Sequence, residues 1–276
     1  MNNLVPAIFV PAYKSQLSKS ELISFRQLLK VLGKYPIYMF HPEHLPLENY
    51  QKIIATFPNL QVRYQAWPAY FFQNPATYSE MLKDVAFYNF FIQRGHDYLL
   101  IYQLDAYVFR DELMEWIQKG YDYIGAPWFS NYTEASPDDE IIGVGNGGFS
   151  LRRISTAIKV LQKWHRFQKR YTWLGKWLRQ DRAFHLAKWS MGIYTQEDIS
   201  VILLKNVTED CFWTEYLTKA FPLRIAPPEE AMFFSFEANP SQLYEKTGKR
   251  LPFGCHAWER YEPAFWRQFI DVENEK

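Results

Sequence analysis

Compact apolar runs alternate with longer amphipathic stretches from the N-terminus to Gln103. LVPAIFV (4–10), closed by Pro11, has no polar alternation and predicts a strand buried on both faces. PIYMFH (36–41), the alternating LQVRYQ (60–65) and DYLLIYQ (97–103) predict three more strands. Between the first two, Ser18 and Glu21 form a capping-box signature, and Leu22, Phe25, Leu28, Leu29 and Leu32 fall on one helical face that ends at Gly33. LENYQKIIATF (47–57) and SEMLKDVAFYNFFIQRG (79–95) predict the second and third helices. Strands alternating with helices in this way make a parallel sheet with helices on its faces, connected by right-handed crossovers. Ligands of such sheets sit beyond the carboxyl ends of the strands.

Past Gln103 the pattern turns mixed. DELMEWIQKG (111–120) predicts a short helix, YDYIGAPWF (121–129) a strand running into a Pro-Trp turn, and SNYTEASPDDE (130–140) an acidic polar loop. GVGNGGFSLRR (143–153) is a glycine-rich approach to a strand, with four glycines in its first six residues. A dinucleotide fingerprint would have its strand before the glycines and a helix directly after, so that chemistry is rejected. No repeat, low-complexity tract or glycine-rich linker divides the chain. Residues 1–276 therefore read as one domain with a helical insertion.

At 48% hydrophobic and 22% charged, the 276 residues have the composition of an ordinary globular protein. No apolar run reaches the roughly 20 residues that span a bilayer, and the first residues read as a strand, not a signal peptide. Two cysteines, Cys211 and Cys255, give no disulfide framework and suit a reducing cytoplasm. The net charge of +1 hides an asymmetry: 152–188 holds eleven basic residues against Asp181 alone. That block suggests an anionic partner. IKVLQKWHRFQKRYTWLGKWLRQ (158–180) interleaves its cations with aromatics, so 153–188 reads either as an interfacial helix on anionic lipid or as a solvated helical face over the core. Nothing in the chain resembles a recognition helix or an RNA-stacking motif, which leaves nucleic acid the poorer fit.

The carboxylate inside LLIYQLDAYVF (99–109) is the first candidate for chemistry. Asp105 closes the fourth strand, where an Asp either caps a turn or carries a ligand site. The ordered set YQLDAYVF, YDYIGAPW, VGNGGFSLR, TEDCFW and PFGCHAW resembles a group of bacterial GT-A glycosyltransferases long catalogued as a domain of unknown function, over most of the chain. The resemblance implies an α/β fold: a GT-A-like, Rossmann-type mixed sheet flanked by helices, with a nucleotide-sugar-binding half at 4–110 and an acceptor or catalytic half at 111–258. The basic helical insertion, 153–206, carries no family pattern. The implied function is transfer of a sugar from a nucleotide-sugar donor, UDP-linked by the frequency of uridine in this fold class, to a glycan or lipid-linked acceptor. Bacterial surface polysaccharide synthesis, in the cytoplasm or peripherally on the inner membrane face, is the implied setting.

Such a transfer expels a nucleoside diphosphate, and a divalent cation or fixed cations must neutralise the leaving charge. Gln103-Leu104-Asp105 keeps the second acid of the family's D-x-D and has Gln for the first. By the resemblance, Asp105 and His256 ligate Mn²⁺ or Mg²⁺, with Gln103 on ribose or a metal-bound water. The departure at Gln103 points to weaker or optional metal use. A lone His beside Trp258 is otherwise a satisfied structural ring.

Two acid pairs compete for the general base, Glu197-Asp198 and Glu209-Asp210, and both suit the first turn of a helix. TEDCFW matches the family's acid pair, so Asp210 is the expected base of an inverting transfer and Glu209 an acceptor contact. In a retaining transfer Asp210 would bind acceptor instead. The same resemblance puts the nucleotide base at Pro11, Ala12 and Tyr13 and the diphosphate at Lys83, which is otherwise a surface helix lysine. Asn146, Gly147 and Gly148 would lie against donor sugar and acceptor, or merely turn a tight loop. Trp128 is a sugar platform or core packing.

Two other classes compete. A non-catalytic glycan- or nucleotide-binding module of the same fold is favoured by Gln103 alone. A nucleotidyltransferase needs a glycine-rich, lysine-bearing loop after the first strand, and PAYKSQLSKSE (11–21) offers Lys14 without glycine.

Overall fold

The computed structural model describes residues 4–136, 138–178 and 207–272. β1 (Pro6–Pro11) is buried at all six positions and lies inside a six-stranded sheet ordered β3-β2-β1-β4-β9-β6. β2 (Ile37–Pro42), β3 (Val62–Trp67) and β4 (Tyr98–Tyr102) extend it in parallel. β9 (Phe149–Arg153) enters antiparallel to both β4 and β6 (Tyr123–Ile124), so the sheet is mixed where the sequence pattern turned mixed.

Alternation along β1 feeds two cores. Ile8 and Val10 pack with Phe25, Leu28, Leu29 and Leu32 of α1 (Lys19–Leu32). Ala7 and Phe9 pack on the other face with Phe87 and Phe91 of α4 (Val85–Ile92) and Leu161 and Trp164 of α6 (Ile154–Leu178). The capping box of α1 forms as expected, with the Ser18 side chain accepting from Glu21 N–H and the Glu21 side chain accepting from Ser18 N–H. α2 (Glu48–Ile54) is shorter than its apolar pattern.

The predicted third helix, 79–95, is two. α3 (Pro75–Met81) starts at an Asn74 cap, and α4 restarts at Asp84, whose side chain accepts from Ala86 N–H. The predicted strand 121–129 also splits. β6 stays in the main sheet, while β7 (Pro127–Phe129) leaves it to pair with β8 (Ile141–Val144). α5 (Leu113–Gln118) follows β5 (Tyr107–Val108), which joins a separate three-stranded sheet with β10 (Ser235–Phe236) and β11 (Gly254–Cys255).

The basic block divides by burial. Ala157, Val160, Leu161 and Trp164 are buried on the core, while Lys159, Lys163, Arg166 and Lys169 are exposed. The first turns of α6 are therefore a solvated helical face over packed apolar residues, the blander of the two expectations. Arg152 and Arg153 turn inward, Arg152 to Glu209 and Arg153 to Asp122. Residues 179–206, including Glu197-Asp198, lie outside the described residues. Among the described residues no helix is long and apolar enough to cross a membrane.

Candidate active site

The carboxyl ends of β1 and β4 open on one edge. Gln103 leaves β4 and donates its backbone N–H to Gly148 O at 2.9 Å, tying the strand end to the glycine-rich segment before β9. Two residues on, Asp105 precedes β5, which runs antiparallel to β11 with Cys255 opposite Tyr107. His256 follows β11 and so arrives beside Asp105. Its Nε2 lies 3.2 Å from Asp105 Oδ1 and 3.2 Å from Gln103 Oε1. On its other side, Nδ1 is 3.0 Å from Glu237 Oε1.

The charges here shape one another. Burial disfavours a charged imidazole, yet Asp105 and Glu237 outweigh it and push the His256 pKa up to about 10. Burial also opposes the charge on Asp105, and His256, with a contribution from Lys14, overcomes it to hold that carboxyl below its usual range. The Asp105 side chain keeps 47% of its surface in solvent, so it remains open to a ligand.

The glycine-rich segment fits against this group because it lacks side chains. A Cβ on Gly148 would stand 2.0 Å from His256 Nε2, and one on Gly147 2.4 Å from Glu209 Oε2. Asn146 is buried in a left-handed conformation (φ 66°). Its Oδ1 accepts Gly148 N–H at 3.0 Å and its carbonyl accepts Tyr123 O–H at 3.0 Å. Gly148 N–H is thus used inside the loop. Asn146 Nδ2 is buried with no hydrogen-bond partner among the described residues.

Glu209 and Asp210 begin α7 (Glu209–Cys211), which continues into a π-helical turn, Phe212–Tyr216. Such turns recur at functional sites. The two acids differ. Glu209 is buried and ion-paired to Arg152 Nη2 at 2.5 Å. Burial pushes its carboxyl up to about 7 against the pull of that guanidinium. Arg152 itself donates to the hydroxyl oxygens of Tyr88 and Ser150 at 3.0 Å each. The Glu209 carboxylate is turned to Arg152 and to the space a side chain at Gly147 would fill. Asp210 is half-buried, its Oδ1 accepting Cys211 N–H at 2.9 Å.

Lys83 is buried, not a surface helix lysine. Its ammonium donates to Val207 O at 2.8 Å, and burial lowers its pKa despite Glu209, Glu80 and Asp210 nearby. Pro11 is buried at the end of β1, while Tyr13 is 51% exposed, its pKa raised by burial and then by Glu21 and Asp105. Trp128 is half-buried, fills the space beside Gly145 and meets Tyr132 edge-on at 5.3 Å. The structure thus gathers Gln103, Asp105, Asn146, Gly147, Gly148, Glu209 and His256 in one contiguous group.

The family model of DUF5672, described as a protein of unknown function, matches residues 61–256. The chain belongs to the DUF5672 family. The matched span includes every residue of that group. No curated protein matches this DUF5672 chain. Two crystal structures of the glycosyltransferase GlyE of Streptococcus pneumoniae TIGR4 superpose on it. The apo form does so at TM-score 0.47 and 10% identity over 92% of this chain. The other gives 0.49 and 13% over 98%. The DUF5672 chain spans 54% and 61% of those two GlyE chains. Mouse xyloside xylosyltransferase 1 superposes at TM-score 0.49 and 10% identity, over 91% of this chain and 97% of that one. With TM-scores below 0.5, these likenesses say nothing of what the DUF5672 chain does.

Among the described residues no group of three or more His, Cys, Asp or Glu side chains is placed to hold a metal ion. What this chain presents is one carboxylate and one amide oxygen, each 3.2 Å from the Nε2 of one imidazole. That donor set fits a hard divalent cation only if phosphate oxygens and water complete the shell. Two partners escaped the sequence reading, Glu237 and Arg152. Glu237 closes the apolar run FFSFE as Asp105 closes its own, and that likeness was the available signal. Arg152 was hidden in the charge block, although it follows Ser150 on the face of β9 opposite Phe149 and Leu151.

Proposed function

We propose that this chain is a GT-A-type, nucleotide-sugar-dependent glycosyltransferase working at the carboxyl edge of β1 and β4. The observation that carries the reading is the placement of Gln103 and Asp105 at His256 Nε2, with Gly148 packed against the imidazole. In this reading the nucleotide base lies over Pro11 and Tyr13 and the diphosphate over Asp105 and His256. Mn²⁺ or Mg²⁺, held by Asp105 and His256 with Gln103 beside it, would supply charge neutralisation for the leaving nucleoside diphosphate. Asn146 Nδ2 donates to the donor sugar or acceptor, and Trp128 offers a stacking face to a glycan. Asp210, the less buried of its acid pair, takes the proton of the acceptor hydroxyl as that oxygen attacks the anomeric carbon. Arg152, Glu209 and Lys83 hold the helix that carries it.

A non-catalytic module of the same fold is the second reading, favoured by Gln103 in place of an acid. Thermal unfolding against UDP, GDP, CMP and dTDP, each with and without Mn²⁺, tests both. Ligand at one hundred times its dissociation constant adds about 2.7 kcal/mol of stability. The expected result is one nucleotide that stabilises most with Mn²⁺, together with slow hydrolysis of the matching sugar donor. Stabilisation without hydrolysis would select the module, and no shift from any nucleotide would remove the donor site. The base assignment is tested by Asp210→Asn, expected to keep the nucleotide shift and lower transfer about 10²- to 10⁴-fold.

A further inference from the structure

We infer that Glu237 is the positioning residue that orients His256 for ligand binding at this edge, an inference that rests on the reading of the edge as a donor site. The small sheet makes the arrangement. β10 and β11 run parallel with Phe236 opposite Cys255, and the ladder continues where His256 N–H donates to Phe236 O at 3.0 Å. Residues 237 and 256 therefore leave the two strands side by side. On the other flank, β5 brings Asp105 to the same level. The sheet lines up Glu237, His256 and Asp105 in a row across its end.

Within that row the two ring nitrogens are divided. An ionised carboxylate only accepts hydrogen bonds, so at 3.0 Å Glu237 Oε1 accepts one from Nδ1–H. Nε2 is left facing Gln103 and Asp105, where the proposed cation would take the place of the Nε2 proton. Two further features fix the ring. Gly148 leaves it room that any Cβ would remove. Ala257, the next residue, is held at φ 48°, a conformation rare for residues with a side chain. Backbone outliers of this kind gather where a site needs a fixed geometry. A histidine that only filled space would need no carboxylate on its inner nitrogen. A carboxylate on the far nitrogen of a ligating imidazole sets its tautomer and raises its basicity.

Mn²⁺ affinity, read by electron paramagnetic resonance of the free ion with and without UDP, tests the role without any turnover. The full chain is compared with Glu237→Ala and Glu237→Gln, each also placed in a His256→Ala background and measured there with UDP. Glu237→Ala is expected to weaken Mn²⁺ binding about 10- to 100-fold. Glu237→Gln, which keeps an acceptor oxygen, is expected to lose less. With His256 removed, either change at 237 should have no further effect, because the coupling runs through the imidazole. Wild-type affinity in Glu237→Ala, or the same loss with His256 absent, would overturn the inference. Should Glu237→Ala not fold, the cycle built on Glu237→Gln decides in the same way. Failure of the wider reading looks different: the wild-type chain would then take up neither UDP nor Mn²⁺.

Discussion

Asp105 and Glu209 are both acids facing a cation: Asp105 beside His256, which packs on Gly148, and Glu209 beside Arg152, against Gly147. Asp105 sits at the open edge with 47% of its side chain in solvent, 3.2 Å from His256. Glu209 lies in the interior, 2.5 Å from an Arg152 whose side chain is 2% exposed. Water makes the difference. At the edge, the neighbouring cations decide the outcome and hold Asp105 below its usual range. Inside, desolvation decides, and Glu209 is pushed up to about 7 even beside a guanidinium. The first acid is placed to exchange partners, and the second to keep one.

The sharpest way to break that comparison is to remove the interior cation. Arg152→Met leaves Glu209 buried with its ion-pair partner gone, and removing one member of a buried pair costs about 3–5 kcal/mol. Denaturant unfolding should show a loss of that size, and most of it should return in Arg152→Met/Glu209→Leu, where neither charge is left. A loss under about 1 kcal/mol for Arg152→Met would mean that water reaches the pair, and the contrast with Asp105 would disappear.

The two glycines allow a closer comparison. Gly147→Ala drives a methyl into Glu209 Oε2, and Gly148→Ala drives one into His256 Nε2. Overpacking typically costs about 1–3 kcal/mol. Both losses should fall in that range, with Gly147→Ala the larger, because Glu209 is clamped by Arg152 while the imidazole borders an open edge. Equal melting temperatures for the two variants would show that the edge is as rigid as the interior.

How much of this was readable beforehand follows the same division. β1 to β4, the Ser18–Glu21 capping box and the change to mixed topology after Gln103 were legible, because local periodicity and caps determine them. Asp105 and His256 were legible as a pair only through a resemblance, since 151 positions separate them and β5 and β11 bring them together. The break between α3 and α4 was missed. The apolar run across 79–95 looks continuous, but Asp84 caps a new helix and Lys83 turns inward to Val207 O. Glu209 is expected at an acceptor or in a helical first turn, and no sign in the sequence shows that a cation of the basic block would cross the core to it. Burial of a charge is a tertiary fact, and the alternation in FSLRR places Arg152 on the Ser150 face of β9 without showing that a carboxylate waits there.

A smaller effect comes from pH. Glu209 has a folded pKa of about 7 against an ordinary 4.5, so between those values the folded chain binds more protons than the unfolded one. The contribution is fully present below about pH 4.5 and is lost as pH rises through about 7. Glu209→Gln should flatten the stability profile across that window, whereas Asp105→Asn should leave it in place. If the window persists in Glu209→Gln, the titrating group lies elsewhere.

The smallest stability effect is expected at the edge itself. Asp105→Asn removes a charge whose partners share it with solvent, and exposed or half-exposed pairs contribute about 0–1 kcal/mol. The change also relieves whatever desolvation Asp105 bears, so the two terms oppose each other and the midpoint of unfolding should hardly move. Asparagine keeps the shape and an acceptor oxygen but cannot offset the charge of a cation bound with a diphosphate. The nucleotide-dependent shift with Mn²⁺ should therefore vanish while the ligand-free melting curve stays where it was. A variant with both curves intact would place the ligand away from Asp105. A variant that loses as much stability as Arg152→Met would make Asp105 a structural acid like Glu209, since a side chain kept open for a ligand leaves little of the folding free energy at stake.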